Sequence, residues 1–187
     1  MHMPNLRRQW TIEDLDDLPD DGNRYEIIDG ELLVAPAPSL AHQRAVRLLT
    51  RRLEDYLSAQ PVGEVLFAPA DVPFSRIRLV QPDVFVIPFV NGRRAQRFED
   101  VGRLLLAAEV LSPSTGRVDR VKKRVLYRKE GVAEYWIVDL DARVFERSTP
   151  ADARVEIFAE QIEWQPSGAT APFGLDVVEY FAAVLDD

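Results

Sequence analysis

The 187-residue chain contains no cysteine. This absence excludes disulfide bonds, zinc sites built on thiolates and cysteine nucleophiles, and it is typical of a protein in a reducing cytoplasm. The chain also lacks any apolar run close to the roughly 18 residues that would span a membrane. Residues 1–10 are polar and basic and lack the apolar core of a signal peptide. We therefore expect a cytoplasmic protein with no membrane partner.

Positive charge is in short supply: 23 lysines and arginines face 31 acids, which gives a net charge of −8. This balance excludes an evenly basic surface for nonspecific binding of nucleic acid. The basic residues are nevertheless clustered in three groups. They are Arg117, Arg120, Lys122, Lys123, Arg124, Arg128 and Lys129; then Arg44, Arg47, Arg51 and Arg52; and then Arg93, Arg94 and Arg97. On composition alone, solvated helix faces are the simpler interpretation.

The pattern of apolar and turn residues predicts an α/β or α+β fold with a mixed β-sheet, in one domain over residues 1–187 with a flexible segment at 1–10. A hairpin is expected at 24–34 around Asp29-Gly30, and a helix at 40–59 after Ser39. Strands are expected at 64–74, 79–88, 104–111, 135–139 and 143–148 and near residues 155 and 162, and helices at 117–130 and 177–184, with a turn at 112–116. The helix at 117–130 contains the first basic group and is called the basic helix. It lies between the strands at 104–111 and 135–139, an order that is typical of a crossover between parallel strands.

Two apolar strands each carry one acid at an end: Asp83 follows Pro82 and Glu109 follows Leu104–Ala108. A buried, unpaired carboxylate costs several kcal/mol, so each acid needs a partner or a metal ion. If the strands are neighbours, the acids could share Mg²⁺, which takes oxygen ligands and keeps several waters. For either acid alone, a helix cap or an ion pair with arginine is the simpler explanation.

A lysine soon after the second acid would complete the pattern Pro-Asp…Glu-x-Lys of metal-dependent nucleases, but that position is Leu111. The basic helix begins about one turn later and can supply the charge. Its apolar stripe is predicted to contain Val118, Val121, Val125 and Leu126. Lys122 lies within that stripe and Lys123 on its border, so periodicity alone leaves either lysine possible.

The ordered set of motifs resembles the Uma2 family of restriction-endonuclease-like proteins, a branch of the PD-(D/E)XK nuclease superfamily, over about residues 11–185. The matching stretches are Arg24–Leu32, Pro38–Gln43 with His42, Pro82–Val84, Glu109–Thr115, Asp119 with Lys123 and Tyr127, and Gly131–Asp139. The resemblance implies a restriction-endonuclease-like core, a mixed sheet flanked by helices, with an N-terminal hairpin extension. It also implies Asp83 and Glu109 as metal ligands and Lys123, four residues before Tyr127, as the catalytic lysine.

The expected activity is Mg²⁺-dependent hydrolysis of phosphodiester bonds in DNA, with Mn²⁺ as a possible substitute. Asp83, Glu109 and the carbonyl of Val110 would hold the ion, and Lys123 would orient water or stabilise the charged phosphate. The arginines expected to contact DNA phosphates are Arg44, Arg117, Arg120 and Arg124.

Three further residues have two interpretations each. Glu26 could be another ligand or a supporting base, or it could form a cross-strand ion pair. His42 could orient an active-site carboxylate or cap its helix. Lys122 is the alternative to Lys123 as the catalytic lysine.

Two other functions fit the same residues. The acidic charge and the displaced lysine are consistent with a catalytically inactive nuclease fold that binds nucleic acid or protein. A carboxylate-bound metal could also hydrolyse small phosphate esters, although the arginine groups favour a polymer. A homodimer is expected because a duplex has two strands to cut and twofold oligomers are the commonest.

Overall fold

A computed structural model describes residues 8–112 and 116–186 of the chain. Of the segment expected to be flexible, only residues 8–10 are described, and the turn predicted at 112–116 lies largely outside the described residues. The centre is a six-stranded sheet in the order β10-β9-β8-β7-β6-β3. Its strands are β3 (Gly63–Phe67), β6 (Val84–Pro88), β7 (Leu106–Val110), β8 (Glu134–Asp139), β9 (Val144–Ser148) and β10 (Glu156–Phe158).

Strands β7 and β8 are parallel, and the other neighbouring pairs of this sheet are antiparallel. The helical stretch 116–129, which we call the basic helix, connects β7 to β8. This is the crossover that the order of elements predicts, since parallel neighbours need a long connection. The predicted mixed α/β architecture is confirmed.

A second sheet has the order β2-β1-β5-β4, with strands β1 (Arg24–Ile28), β2 (Glu31–Ala35), β4 (Val72–Ser75) and β5 (Arg78–Val80). The predicted hairpin forms its first pair and turns at Asp29 and Gly30, whose φ angles are 49° and 80°. Gly30 suits this left-handed position, and a Cβ atom there would meet Gln9 Cγ at 2.4 Å. The hairpin is therefore one half of a sheet rather than an isolated extension.

The remaining elements are helices and one small sheet. Helix α1 spans Leu40–Ala59, as predicted, and α4 spans Val177–Leu185. The small sheet pairs β11 (Gln161–Trp164) with β12 (Phe173–Asp176), and 3₁₀ turns cover Ile12–Asp17 and Phe98–Asp100. The described residues contain no helix with both the length and the apolar character needed to cross a bilayer.

Apolar cores lie on the two faces of the six-stranded sheet. On one face, α1, α4 and the small sheet pack against alternate residues such as Val84, Leu106 and Trp136. On the other, the second sheet and the basic helix pack against Phe85 and Ala107. Because strand side chains alternate between faces, the face of Phe85 and Ala107 is also the face of Asp83 and Glu109.

The predicted strands at 64–74 and 79–88 are each divided between the two sheets. The first breaks after Phe67, where Ala68-Pro69 forms a cis peptide bond, and the second breaks around Pro82. Proline cannot donate a ladder hydrogen bond, so a strand can change sheets at these points. Strand β12 was not predicted.

The basic helix departs most from the prediction. It consists of a short α-helical turn α2 (Gly116–Val118), a π-helical segment (Asp119–Lys123) and the α-helix α3 (Arg124–Lys129). The predicted apolar stripe is wrong in its middle, because Val121 and Val125 are 52% and 59% exposed. Asp119 and Lys123 are buried instead. The wider π-helical turn changes which side chains face the sheet.

Candidate active site

The two acids on apolar strands lie across from each other. The antiparallel register of β6 and β7 pairs Val84 with Ala108, so one step further places Asp83 opposite Glu109. Each residue is 2% exposed. Directly opposite residues of an antiparallel pair project from the same face. The structure therefore brings together the two acids that were predicted as metal ligands.

Asp83 has charged and polar partners on both carboxylate oxygens. Arg24 Nη1 lies 2.7 Å from Oδ1, His42 Nε2 lies 3.0 Å from Oδ2, and the Val110 N–H donates to Oδ2 at 2.9 Å. Burial by itself would raise the pKa of Asp83. The contacts with His42 and Arg24 outweigh it and lower the pKa to about 2. Asp83 is thus held as a carboxylate.

Lys123 lies within the same buried cluster. Its Nζ is 2.9 Å from Glu109 Oε1, 2.9 Å from Glu26 Oε2 and 3.6 Å from Asp119 Oδ1. Burial would lower the pKa of this lysine, but the three acids outweigh it and raise the pKa above its ordinary value. Lys123 therefore keeps its positive charge although it is enclosed by protein.

Lys122 points elsewhere. Its Nζ lies 2.6 Å from Glu31 Oε1, on an exposed ion pair at the hairpin. The two lysines lie at the end of the π-helical segment and point in different directions. Only Lys123 faces the carboxylates. Of the two residues that periodicity left open, the structure places Lys123 in the cluster and Lys122 outside it.

The Glu109 carboxyl group is held by two hydrogen bonds, and the charged groups around it are mostly negative. The Tyr127 hydroxyl donates to Glu109 Oε1 at 2.8 Å, beside the Lys123 contact. Burial raises the pKa of Glu109 well above its ordinary value, and the negative charges of Asp83, Asp119 and Glu26 add to the rise against the opposing effect of Lys123. Protons or cations are therefore favoured at this carboxyl group.

Glu26 connects the second sheet to this cluster. Its Oε1 accepts from the Gln81 N–H at 2.6 Å while its Oε2 contacts Lys123. The ion pair that sequence reasoning allowed for Glu26 does form, but with Lys123 rather than across the hairpin. Glu26 therefore ties the second sheet to the ammonium group that Glu109 also contacts.

A cleft of about 810 Å³ exposes the cluster at the strand ends. Its lining includes Arg24, Glu26, His42, Asp83, Glu109, Val110, Asp119, Lys123, Arg117 and Arg120. Arg117 is exposed and, among the described residues, forms no ion pair. Arg120 is bound to Asp139 and Glu146, which leaves it less available to a phosphate.

The other predicted DNA-contacting arginines lie outside this cleft. Arg44 lines a neighbouring groove on α1. Arg124 lines a separate cavity of about 180 Å³ with Arg128 and Tyr135. The structure thus separates Arg124 from Arg117 and Arg120, because a helix turns successive residues to different sides.

Comparison with known proteins places this chain in a family. A profile of Uma2, described as "Putative restriction endonuclease", matches residues 12–178. The chain belongs to the Uma2 family. The described structure is similar to the crystal structure of "a putative nuclease belonging to DUF820" from Anabaena variabilis, with a TM-score of 0.76 and 22% identity over 94% of this chain and 99% of that one. No curated protein matches the chain.

Among the residues that share the Uma2 motifs, Arg24 was missed as a site residue. It stands two positions before Glu26 on β1, and residues at that spacing share a strand face. Once Glu26 is placed in the cleft, the same face must present Arg24. The contact between the Tyr127 hydroxyl and Glu109 was missed as well, since no periodicity indicates which atom a buried tyrosine meets.

The residues of the cleft fit a hard divalent cation. Four buried acids, Glu26, Asp83, Glu109 and Asp119, surround the permanent cations Arg24 and Lys123. Four negative charges against two positive charges leave an excess of two when all six groups are ionised and His42 is neutral. The described residues contain no preassembled group of three or more metal-binding side chains. Mg²⁺ often uses only one or two carboxylates and keeps its waters.

The backbone of Val110 supplies a further oxygen. Within a strand, the N–H and C=O of one residue point to the same side. The Val110 N–H donates to Asp83, so the carbonyl of Val110 faces the same edge of β7. The predicted ligand set of Asp83, Glu109 and the Val110 carbonyl is therefore compatible with the strand geometry.

Proposed function

We propose that this protein is a metal-dependent endonuclease that hydrolyses phosphodiester bonds in DNA. The observation that carries the proposal is the position of Lys123, whose ammonium group contacts Glu109 inside the cleft that Asp83 also lines. A carboxylate pair from neighbouring strands with one buried lysine is the arrangement needed to hold a cation and a phosphate together. Membership of the Uma2 family supports the same chemistry.

Asp83, Glu109 and the carbonyl of Val110 would hold Mg²⁺, or Mn²⁺ in its place. The bound ion would lower the pKa of a coordinated water and offset the charge of the scissile phosphate. The excess negative charge of the buried acids supports this assignment, because a divalent cation would neutralise it.

The protein's own residues have distinct roles in this proposal. Lys123 remains protonated and donates hydrogen bonds toward the phosphate oxygens or the attacking water. Glu26 and Asp119 help to hold its ammonium group in place. His42 and Tyr127 fix the orientation of Asp83 and Glu109, respectively.

Cleavage assays with the whole protein test this function. Plasmid, linear duplex and single-stranded DNA would be incubated with Mg²⁺ or Mn²⁺, and wild type compared with Asp83→Asn and Glu109→Gln. We expect wild type to cut and both variants to lose cutting, because each substitution removes one anionic ligand while keeping the side-chain volume. Glu31→Gln, which changes a carboxylate outside the cleft, serves as the control and should retain activity. Absence of metal-dependent cutting by wild type would contradict the proposal.

One observation favours a second candidate, an inactive nuclease fold that binds nucleic acid or protein. Arg24, His42 and the Val110 N–H already engage both oxygens of Asp83, so the site is electrostatically satisfied at this carboxylate without an ion. Calorimetric titration with Mn²⁺ separates the two candidates. The nuclease requires binding by wild type that is lost in Asp83→Ala, whereas the inactive fold predicts no difference between them.

A further inference from the structure

A groove beside the cleft carries three arginines on one face of α1. It has a volume of about 890 Å³, and its lining includes Arg44, Arg47 and Arg51. Residues three and four positions apart lie on the same side of a helix. Among the described residues, none of the three forms an ion pair, in contrast to Arg52 on the same helix, which pairs with Glu179. We call this feature the arginine groove.

The charge of the arginine groove is opposite to that of the whole chain. Its lining includes four arginines, with Arg24 as the fourth, and two acids, Glu54 and Asp83. Asp83 is already paired with Arg24. A local excess of positive charge on a chain of net charge −8 favours a polyanion at this position in particular.

The spacing of the arginines suits one nucleic-acid strand. From Arg44 to Arg51 the helix axis advances by roughly 10 Å at about 1.5 Å per residue. One strand of B-form DNA presents about three phosphates over the same axial distance, at roughly 3.4 Å each. Guanidinium groups spread over this length can therefore contact neighbouring phosphates of one strand, whether that strand is paired or unpaired.

The lining of the arginine groove also includes an aromatic side chain that solvent reaches. Phe67 ends β3, the edge strand of the large sheet, and it is 54% exposed. It lines the same groove as Arg47 and Pro69. An exposed aromatic ring beside a basic track is the usual platform for stacking an unpaired base, whereas the bases of a duplex keep their faces within the stack.

The groove is continuous with the proposed catalytic cleft. Arg24, His42 and Asp83 line both. We propose that the arginine groove binds an unpaired segment of DNA next to the cut site, with the phosphates against Arg44, Arg47 and Arg51 and a base on Phe67. This inference rests on the proposed nuclease function, since it names the form of DNA that the site accepts.

Equilibrium binding without cleavage tests the inference. Fluorescence anisotropy would be measured in EDTA with a labelled single-stranded oligonucleotide and with the duplex of the same sequence. Phe67→Ala should weaken binding of the single strand roughly tenfold and leave duplex binding nearly unchanged, because only the unpaired base stacks. Phe67→Trp should restore binding of the single strand. Ile157→Ala, which alters an exposed side chain on the opposite edge strand, should change neither.

The arginines are tested through salt dependence. Arg47→Gln should reduce the slope of log Kd against log salt for the single strand by about 0.7, since one phosphate contact is lost. Arg52→Gln, from the face paired with Glu179, should leave the slope unchanged. Equal slopes for wild type and Arg47→Gln, or no selective effect of Phe67→Ala, would overturn the inference.

The two proposals fail in different ways. Single-strand binding that depends on Phe67 and Arg47, with no metal-dependent cutting, would reject the nuclease and keep the groove. Cutting that depends on Asp83, with tight duplex binding that neither groove variant affects, would keep the nuclease and reject the groove.

Discussion

At Lys123 a positive charge is maintained on a side chain that is almost fully buried. The residue is 4% exposed, and burial alone favours a neutral amine. Glu109, Glu26 and Asp119 reverse that preference. Removing one member of such a buried network typically costs about 3–5 kcal/mol, because the remaining charges lose their partner. The Lys123 amine is therefore already protonated before any ligand binds.

Replacing Lys123 by methionine should separate metal binding from hydrolysis. The proposed metal ligands Asp83 and Glu109 remain, so Mn²⁺ binding by calorimetry should persist. Single-turnover cleavage should fall roughly 10²- to 10³-fold, which is typical for the loss of one group that stabilises transition-state charge. Lys122→Met is the matched control and should keep the cleavage rate, because Lys122 lies at Glu31. A larger loss in the control would transfer the role to Lys122; circular dichroism checks that both variants are folded.

Tyr127 is a second residue whose contact with Glu109 can be removed on its own, through the loss of one hydroxyl group. Tyr127→Phe keeps the ring and removes the donor to Glu109, leaving a buried acceptor short of one hydrogen bond. We expect a loss of about 1–3 kcal/mol in the free energy of unfolding by urea. Tyr180→Phe removes an equally buried hydroxyl that donates to a neutral carbonyl, that of Ala45. Its cost should be smaller, about 0.5–1.5 kcal/mol, and the reverse order would contradict a charged or strongly polarised Glu109.

Helix α1 is the element that joins the cleft to the arginine groove. It begins after Ser39, whose side chain accepts from the His42 N–H, so the cap holds the turn that carries His42. From that turn His42 reaches Asp83, while Arg44, two residues further on, starts the basic face. The cap therefore fixes where both features begin.

Ser39→Ala should cost about 1 kcal/mol in the free energy of unfolding, the usual effect of losing a helix N-cap. Ser58→Ala near the other end of α1 is the control. Ser58 Oγ donates back to the Glu54 carbonyl, a contact that does little for a helix, so its loss should be close to neutral. Urea denaturation of the two variants checks this order, and equal effects would show that the cap is not what fixes the start of α1.

Local signals predicted the elements of this fold better than their arrangement. Ser39 and the spacing of Ala45, Leu49 and Leu53 were enough for α1, and Asp29-Gly30 was enough for the hairpin. The division of strands between two sheets was not predictable, because Pro69 and Pro82 indicate a break but not the destination of the chain. The π-helical segment was missed because Lys123 contacts Glu26 and Glu109, which lie outside the helix in the sequence. The periodicity of apolar residues within the helix carries no information about such contacts.

The site was predictable to the same extent. Asp83 and Glu109 were singled out because each is an acid on an apolar strand, and only the family resemblance gave them a shared role. Arg24 and the contacts of Glu26 were not, because they depend on how the second sheet packs over the first. Motif resemblance supplied Lys123, and periodicity alone favoured neither lysine.

At the scale of the whole molecule, the oligomeric state is a prediction from symmetry. An enzyme that cleaves duplex DNA has two strands to cut, and a twofold dimer would present two identical sites. Static light scattering at micromolar concentration should give twice the 21.3 kDa mass of one chain. A mass of one chain at this concentration would contradict the prediction of a dimer.

The unbalanced acids of the cleft connect metal binding to the stability of the whole fold. Glu26, Asp83, Glu109 and Asp119 repel one another in the folded state and separate on unfolding, so a divalent ion bound in the cleft should stabilise the folded state selectively. At a metal concentration of about 100 Kd the gain is roughly 2.7 kcal/mol, which corresponds to a rise of about 5–10 °C in Tm for a chain of this size. Thermal unfolding of wild type with Mn²⁺ and with EDTA measures the rise.

Asp83→Asn should show little or none of this rise in Tm, while Glu31→Gln, whose carboxylate lies outside the cleft, should show it in full. Equal rises in wild type and Asp83→Asn would mean that the ion binds somewhere other than between β6 and β7.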